Sequence, residues 1–229
     1  QEFLFASGLI KLNLADYADK VVQQVLMKNP GMADRAKLIQ AEVLISRRKF
    51  DEADALAKTM GEDNSKAQAI KLAIGFGYYK NNQVQKAREI YDAYFKSREG
   101  KIPTDPDELR FYQESAYQYG YMLEMAGDLA GAIKAFGLVL LTNPDPVIKR
   151  DLQIKQSELM VTLAGTQSGG DKDKTLEAAY NICKEIQWGG MDVAFGQSVI
   201  TMAHIEILRG QDTEAQKVLQ SNLDVFKEI

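Results

Sequence analysis

The fold of this chain is decided by the segment Gly127-Asp128-Leu129-Ala130-Gly131-Ala132-Ile133-Lys134-Ala135-Phe136, followed eight residues later by Pro144. The segment places a glycine at a turn, an alanine five residues later and an aromatic residue four residues after that. The same order of residue types recurs along the chain at a spacing close to 34 residues. A period of this length is typical of helical hairpins that stack side by side. Because stacked repeats usually work by presenting a surface, the segment favours a binding function over catalysis.

The alanines that correspond to Ala132 set the register of the other hairpins. They are Ala18, Ala53, Ala87, Ala132, Ala179 and Ala215, at intervals of 35, 34, 45, 47 and 36 residues. Two loops account for the longer intervals. The first, residues 97–106, contains two prolines, and Asp105 or Asp107 lies near the start of the next helix. The second, residues 165–171, interrupts the fifth hairpin, whose first helix is expected at about 147–164.

In this pattern the chain resembles the tetratricopeptide repeat (TPR) family. The repeat at 113–146 matches the family motif with Tyr119, Gly120, Leu123, Gly127, Ala132, Phe136 and Pro144. The repeat at 68–101 departs from it with Lys71 where a large apolar residue is usual and Tyr94 where a small one is usual. The resemblance implies an all-α, right-handed superhelical solenoid of about six antiparallel helix pairs in one domain, residues 1–229. Its repeats are expected at approximately 1–32, 34–66, 68–101, 113–146, 147–190 and 192–229.

Small residues at two motif positions explain the spacing physically. Gly75 with Ala87, and Gly120 with Ala132, are expected to let the two helices of a hairpin approach closely. Gly120→Leu is therefore expected to overpack the crossing and to cost about 1–3 kcal/mol. The last helix carries Leu219, Leu223, Val225 and Phe226 with no polar helix expected after it, which favours self-association or a longer repeat array.

The composition limits the class of protein. Hydrophobic residues make up 45% and charged residues 26% of the chain, as in a folded soluble protein. No apolar run reaches the roughly 18 residues that span a bilayer, and no export leader is expected. The cytoplasm and the periplasm or another exported location both remain open. The net charge of −4 disfavours binding to nucleic acid, which needs basic surface.

No motif predicts chemistry. The loop at 165–172 has the wrong spacing for a phosphate loop, and Asp171 stands where such a loop has lysine. Asp171, Asp173 and Thr175 begin like a calcium loop, but the required glycine and glutamate are absent. His204 is the only histidine and Cys183 the only cysteine. We therefore expect no catalytic residues, no metal and no cofactor.

The resemblance implies a binding groove lined by the first helix of each repeat. Its expected partner-binding residues are Leu72, Phe76, Tyr79, Tyr117, Gln118, Tyr121 and Met125. An extended segment or helix with apolar anchors and some positive charge would suit this surface. The alternative, packing between neighbouring helices, is favoured for Leu38 and Leu72 and stays open for the four aromatic residues. Trp188 is interpreted as an inter-repeat turn, with a partner anchor as its alternative.

The sequence thus predicts a non-catalytic scaffold that binds a partner protein segment in the concave groove. The lysine and asparagine with which some family members grip a chaperone tail are missing, since Phe3 and Ser7 stand in their places. The alternative is a structural subunit that assembles into a larger complex, such as one of a bacterial envelope, through its solenoid ends or convex face. An enzyme, or an enzyme's regulatory domain, is the third possibility.

Overall fold

A computed structural model describes residues 2–98 and 100–228, and the predictions that include Gln1, Glu99 or Ile229 are compared only over that range. Within it the chain forms α-helices, one short 3-10 turn at Pro30–Met32 and no strand. The helices are α1 (Glu2–Lys11), α2 (Ala15–Lys28), α3 (Ala33–Ser46), α4 (Phe50–Lys58), α5 (Ser65–Lys80), α6 (Val84–Arg98), α7 (Pro106–Met125), α8 (Leu129–Leu141), α9 (Pro146–Ala164), α10 (Gly169–Gln187), α11 (Val193–Leu208), α12 (Asp212–Gln220) and α13 (Leu223–Glu228).

Consecutive helices pair as hairpins. The pairs α1–α2, α3–α4, α5–α6, α9–α10 and α11–α12 pack along each other and are joined by short connections, so their helices run antiparallel. In the fourth pair, α7–α8, Gly120 lies against the ring of Phe136. Each first helix also packs on the next first helix where the contacts are given, as α3 does on α5. The prediction of an all-α, TPR-like series of antiparallel helix pairs is confirmed.

The chain divides into two compact units, Gln1–Gln118 (unit 1) and Tyr119–Ile229 (unit 2). A single solenoid over residues 1–229 stays a prediction. The largest fully buried side chains of unit 1 are Val22, Leu38, Val43, Ile70, Leu72, Tyr91 and Tyr112. Those of unit 2 are Phe136, Leu152, Leu176, Ile186 and Ile205. The alanines that set the repeat register are buried, as Ala53, Ala87 and Ala132 show with 0% exposure.

The helix ends follow local side-chain chemistry. Of the two aspartates expected to begin α7, Asp105 is the cap, because its carboxylate accepts hydrogen bonds from the backbone N–H groups of Asp107 and Glu108, both at 3.0 Å. Asp128 caps α8 in the same way by accepting from the N–H of Gly131 at 2.9 Å. Gly127 precedes it at φ +78°, a conformation that glycine adopts without strain.

Two local expectations are wrong. The predicted loop at 165–171 is shorter, because α10 already begins at Gly169 and includes Gly170 and Asp171. A carboxylate in the first turn of a helix interacts favourably with the helix dipole, which accounts for this earlier start. At the other end, α12 stops at Gln220 and a separate short helix, α13, follows it. Of the side chains expected on one last helix, that of Val225 lies outside the description.

The close approach within a hairpin is confirmed, but its partner differs from the expected one. A Cβ built on Gly120 would lie 2.5 Å from Cε1 of Phe136, and one on Gly75 would lie 2.5 Å from Cε1 of Tyr91. Gly120 therefore accommodates the aromatic ring of Phe136 rather than the side chain of Ala132, four residues earlier. No helix among the described residues is both long enough and apolar enough to cross a membrane.

Candidate functional site

The exposed aromatic residues expected to line a groove lie on α5 and α7 of unit 1. Tyr79 is 37% exposed and Tyr117 is 39% exposed. Phe76, one turn before Tyr79 on α5, is half-buried, and the ammonium of Lys80 lies 4.9 Å from the centre of its ring. We call Phe76, Tyr79 and Tyr117 the aromatic surface. Aromatic side chains offer a large contact area and lose little entropy when they bind.

Buried polar residues support this surface from below. The hydroxyl of Tyr91 on α6 donates a hydrogen bond of 2.9 Å to Oε1 of Gln118 on α7. Burial raises the pKa of Tyr91, and the proximity of Glu114 and Tyr79 adds to the rise. Because its ring lies against Gly75 of α5 and its hydroxyl bonds to Gln118 of α7, Tyr91 contacts both helices beneath the exposed tyrosines.

Two expected binding residues are not accessible. Leu72 is fully buried and Gln118 is only 9% exposed. The alternative reading of Leu72, as a residue of the core between helices, therefore describes this structure. Gln118 acts as the acceptor for Tyr91 instead of facing a partner. We leave both residues out of the aromatic surface.

The first turns of α7 are tied to α3 and α5, which sequence reasoning missed. Arg35 pairs with Asp107 at 3.2 Å, and Lys66 pairs with Asp107 at 2.8 Å and with Asp105 at 2.6 Å. Arg110 donates to Glu42 at 2.8 Å, while the hydroxyl of Ser7 donates to the same carboxylate. Leu38 and Leu72 are buried in this part of unit 1. The open surface of unit 1 therefore begins farther along α7, at Glu114 and Tyr117.

A buried carboxylate fixes the packing of α7 on α6. Glu108 is 3% exposed and accepts a hydrogen bond of 2.7 Å from the hydroxyl of Tyr94. The guanidinium of Arg98 donates to the same carboxylate oxygen and lies over the ring of Tyr94. Burial raises the pKa of Glu108 above its ordinary value of 4.5, although Tyr94 and Arg98 both favour the charged form.

The raised pKa of Glu108 predicts a pH dependence of stability. The folded chain holds the Glu108 proton more tightly than the unfolded chain, so this group's contribution is largest at low pH. It is lost as the pH rises from about 4.5 through the folded pKa. Glu108→Gln is expected to remove this loss, because the amide stays neutral and still accepts from Tyr94.

Urea denaturation between pH 4 and pH 7 gives the free energy of unfolding at each pH. The effect is the difference between the parent and Glu108→Gln in the slope of this free energy against pH. Glu89→Gln, on the exposed part of α6, is the matched control and should follow the parent. If the free energy of unfolding changed with pH equally in the parent and in Glu108→Gln, the pKa of Glu108 would be the same in the folded and unfolded chains.

The remaining expected contacts belong to unit 2. Tyr121 is half-buried and packs edge-on against Phe136, with ring centres 5.1 Å apart. The ammonium of Lys155 lies 5.5 Å from the centre of the Tyr121 ring and pairs with Glu124 at 2.7 Å. Met125 is 87% exposed. Tyr121 thus has a packing role that the sequence alone left open, whereas Met125 is accessible.

The other residues that the sequence singled out lie outside the aromatic surface. Cys183 is fully buried, and burial raises the pKa of its thiol to about 11, so the thiol stays protonated near neutral pH. His204 is exposed on α11. Trp188 is 83% exposed directly after α10, which fits a turn residue that does not cover a helix end. Within the described part of the chain, no group of three or more potential metal ligands is found.

No protein-family model matches this sequence, and no curated protein sequence does. Among solved structures, the chain is similar to a Podosopora anserina protein, assigned as a kinesin light chain, with nearly identical TPR-like repeats. The two share 14% identity over 99% of this chain and 94% of the other, with a TM-score of 0.49. A single-substitution variant of that protein matches with 14% identity over 98% and 92% of the two chains and a TM-score of 0.47. The antiparallel helix pairs of the chain themselves give it a TPR-like fold.

Proposed function

We propose that this protein is a non-catalytic interaction scaffold whose aromatic surface binds a segment of a partner protein. The observation that carries the proposal is the exposure of Tyr79 and Tyr117, at 37% and 39%, on two helices of one unit. Both tyrosines stand on helices that Tyr91 and Gln118 hold in register, so the surface is ordered before a partner arrives. Preordered aromatic residues are well suited to anchor a binding segment.

The groups around the aromatic surface define the partner's chemistry. Glu114 is exposed on α7, three residues before Tyr117, and Lys80 lies beside Phe76. We infer that the partner segment carries apolar side chains that cover the rings of Tyr79 and Tyr117. A cationic group on the segment would face Glu114. Met125 and Tyr121 remain candidate contacts of unit 2 and require variants of their own.

The double variant Tyr79→Glu with Tyr117→Glu tests the proposal. It places two charges on the apolar anchors and is expected to weaken capture of the partner by tenfold or more, since anchor residues dominate such interfaces. Capture uses the immobilised chain and an extract of its native source, followed by binding measurements with each protein retained. Circular dichroism establishes that the variant is folded.

Tyr17→Glu is the matched control, because Tyr17 is 60% exposed on α2 and lies outside the aromatic surface. This control should bind as the parent does. If the double variant keeps its fold and still captures the same protein with unchanged affinity, the aromatic surface is not the binding site.

A second candidate function is assembly through the first hairpin. Leu4 is 63%, Phe5 62% and Leu12 71% exposed on and directly after α1, an unusual concentration of apolar side chains at a surface. Light scattering distinguishes the two functions. Self-association that Phe5→Glu abolishes, and that Tyr79→Glu with Tyr117→Glu leaves intact, would favour assembly.

A further inference from the structure

Unit 1 contains a cavity that the proposed function does not use. It has a volume of about 710 Å³, which lies within the range of sites that bind small molecules or side chains. Its walls come from α4, α5, α6 and the connection between α4 and α5. None of the residues of the aromatic surface lines it.

The length of α4 explains why this cavity exists. Helix α4 has nine residues, whereas α6 has fifteen. Ala93, Tyr94, Ser97 and Arg98 on the second half of α6 line the cavity, beside the connection that follows α4. The space therefore lies where a longer α4 would have covered α6.

Both departures of this repeat from the TPR pattern meet in the cavity. Lys71, where a large apolar residue is usual, and Tyr94, where a small one is usual, both line its wall. An apolar side chain at position 71 would fill part of this space, whereas lysine leaves a polar group there. Ile74 and Ile90 complete an apolar floor together with Tyr78 and Phe50, whose rings lie 4.2 Å apart.

The rim of the cavity is acidic. Its lining includes four carboxylates, Asp51, Asp54, Glu62 and Asp63, and two cationic side chains, Lys71 and Arg98. Arg98 already pairs with the buried Glu108, which leaves the carboxylates in excess. Among the described residues, Asp51, Glu62 and Asp63 form no ion pair, and Asp54 pairs only with the exposed Lys58.

The carboxylates and the aromatic rings line the same cavity. Asp51, Asp54 and Tyr78 line the same cavity, and burial together with these two carboxylates raises the pKa of Tyr78. The chain's own Lys86 places its ammonium 5.1 Å from the centre of the Tyr78 ring. A cation is therefore accommodated over this ring, as expected for an aromatic face beside carboxylates.

We propose that this cavity is a second binding site, which takes a cationic segment of a partner protein with apolar side chains between its arginines or lysines. The apolar side chains would contact Phe50, Tyr78 and Ile90, and the cationic groups would pair with Asp51 and Asp54. Charge complementarity excludes acidic segments and nucleic acid from this site.

Peptide titration of the full chain tests the proposal. The probe is an acetylated and amidated pentapeptide of alternating arginine and leucine, and the signals are the isoleucine δ1-methyl resonances. The methyls of Ile74 and Ile90 in the cavity should shift and saturate, whereas those of Ile182 and Ile205 in unit 2 should not. The matching glutamate–leucine peptide should not bind. An arginine–serine peptide should bind at least several-fold more weakly, because it lacks the apolar contacts.

Two kinds of variant locate the site. Asp51→Asn with Asp54→Asn should weaken binding of the arginine–leucine peptide by about tenfold. Asp212→Asn with Glu214→Gln, two exposed carboxylates of the first turn of α12, is the matched control and should leave it unchanged. Ala93→Trp fills the cavity from an exposed position of α6 and should abolish binding while every charge is kept.

Unchanged binding in Ala93→Trp, equal binding of the serine peptide or equal weakening by the α12 variant would each overturn the proposal. Absence of any shift at Ile74 and Ile90 would overturn it as well. None of these outcomes bears on the aromatic surface, since Tyr79 and Tyr117 are intact in every variant.

Discussion

Phe136→Ala is expected to lower the free energy of unfolding by about 3–5 kcal/mol, the cost of removing a large aromatic side chain from a packed core. Phe136 has no exposed surface, it fills the space left by Gly120, and it packs edge-on against Tyr121. Few neighbouring side chains can move into the space that the ring would leave between the two helices. The cost of the empty cavity should therefore remain part of the change in free energy. Urea denaturation followed by circular dichroism measures the change.

Tyr17→Ala is the matched control for this measurement. Tyr17 is 60% exposed on α2, so truncation of its ring should change the free energy of unfolding by less than about 0.5 kcal/mol. A loss below about 1 kcal/mol for Phe136→Ala would mean that this ring does not fill the α7–α8 crossing.

Gly120→Ala is expected to lower the free energy of unfolding by about 1–3 kcal/mol, although alanine is the better helix former. Its Cβ would lie 2.5 Å from Cε1 and 2.8 Å from Cδ1 of Phe136, and that ring is fully buried and has no room to withdraw. The helix or the ring must therefore move. Gly120→Leu should cost at least as much, because it adds further atoms at the same contact.

Gly8→Ala makes the same change in a helix without the crowding. A Cβ on Gly8 would meet no atom within 4 Å, so this variant should gain about 0.5–1 kcal/mol from the higher helix propensity of alanine. The two substitutions are thus expected to have opposite signs. A stabilised Gly120→Ala would contradict the close approach of α7 and α8.

The hairpins could be predicted from the sequence because their signals are local. Ala132 and the corresponding alanines repeat every 34 to 36 residues apart from two loop insertions, Gly127 marks a turn, and Asp105 begins a helix between two prolines. The turn and the helix start depend on neighbouring residues alone, the alanines follow a fixed period, and the structure contains the predicted feature at each place. The start of α10 was less predictable, since Gly169 and Gly170 read as loop residues although Asp171 favours a helix.

The accessibility of the candidate site could be predicted only in part. Tyr79, Tyr117 and Met125 are exposed as a groove surface requires, but Leu72 and Gln118 are not. Leu72 lies in the core, and Gln118 accepts a hydrogen bond from Tyr91, which is 27 residues away in sequence. The pairs from Asp107 to Arg35 and to Lys66 join residues far apart in sequence, so no periodic pattern announces them.

The cavity beside α4 and α6 could also be predicted only in part from the sequence. Lys71 and Tyr94 were visible in the sequence as departures from the repeat pattern, but each departure alone indicates only a less regular repeat. Their common location depends on the end of α4 at Lys58, because α4 is six residues shorter than α6. Helix ends of this kind are set by tertiary packing as well as by local sequence.

The central claim, that the aromatic surface is where a partner protein binds, is tested most directly by site-specific photo-crosslinking. The photoreactive residue p-benzoylphenylalanine replaces Tyr79 in one variant and Tyr17 in another, and each is irradiated with an extract of the native source. A crosslink from position 79 to one protein, absent from position 17 and suppressed when Tyr117→Glu is added, is the expected result. Crosslinks to the same protein from position 17 alone, or an equal yield from both positions with and without Tyr117→Glu, would contradict the claim.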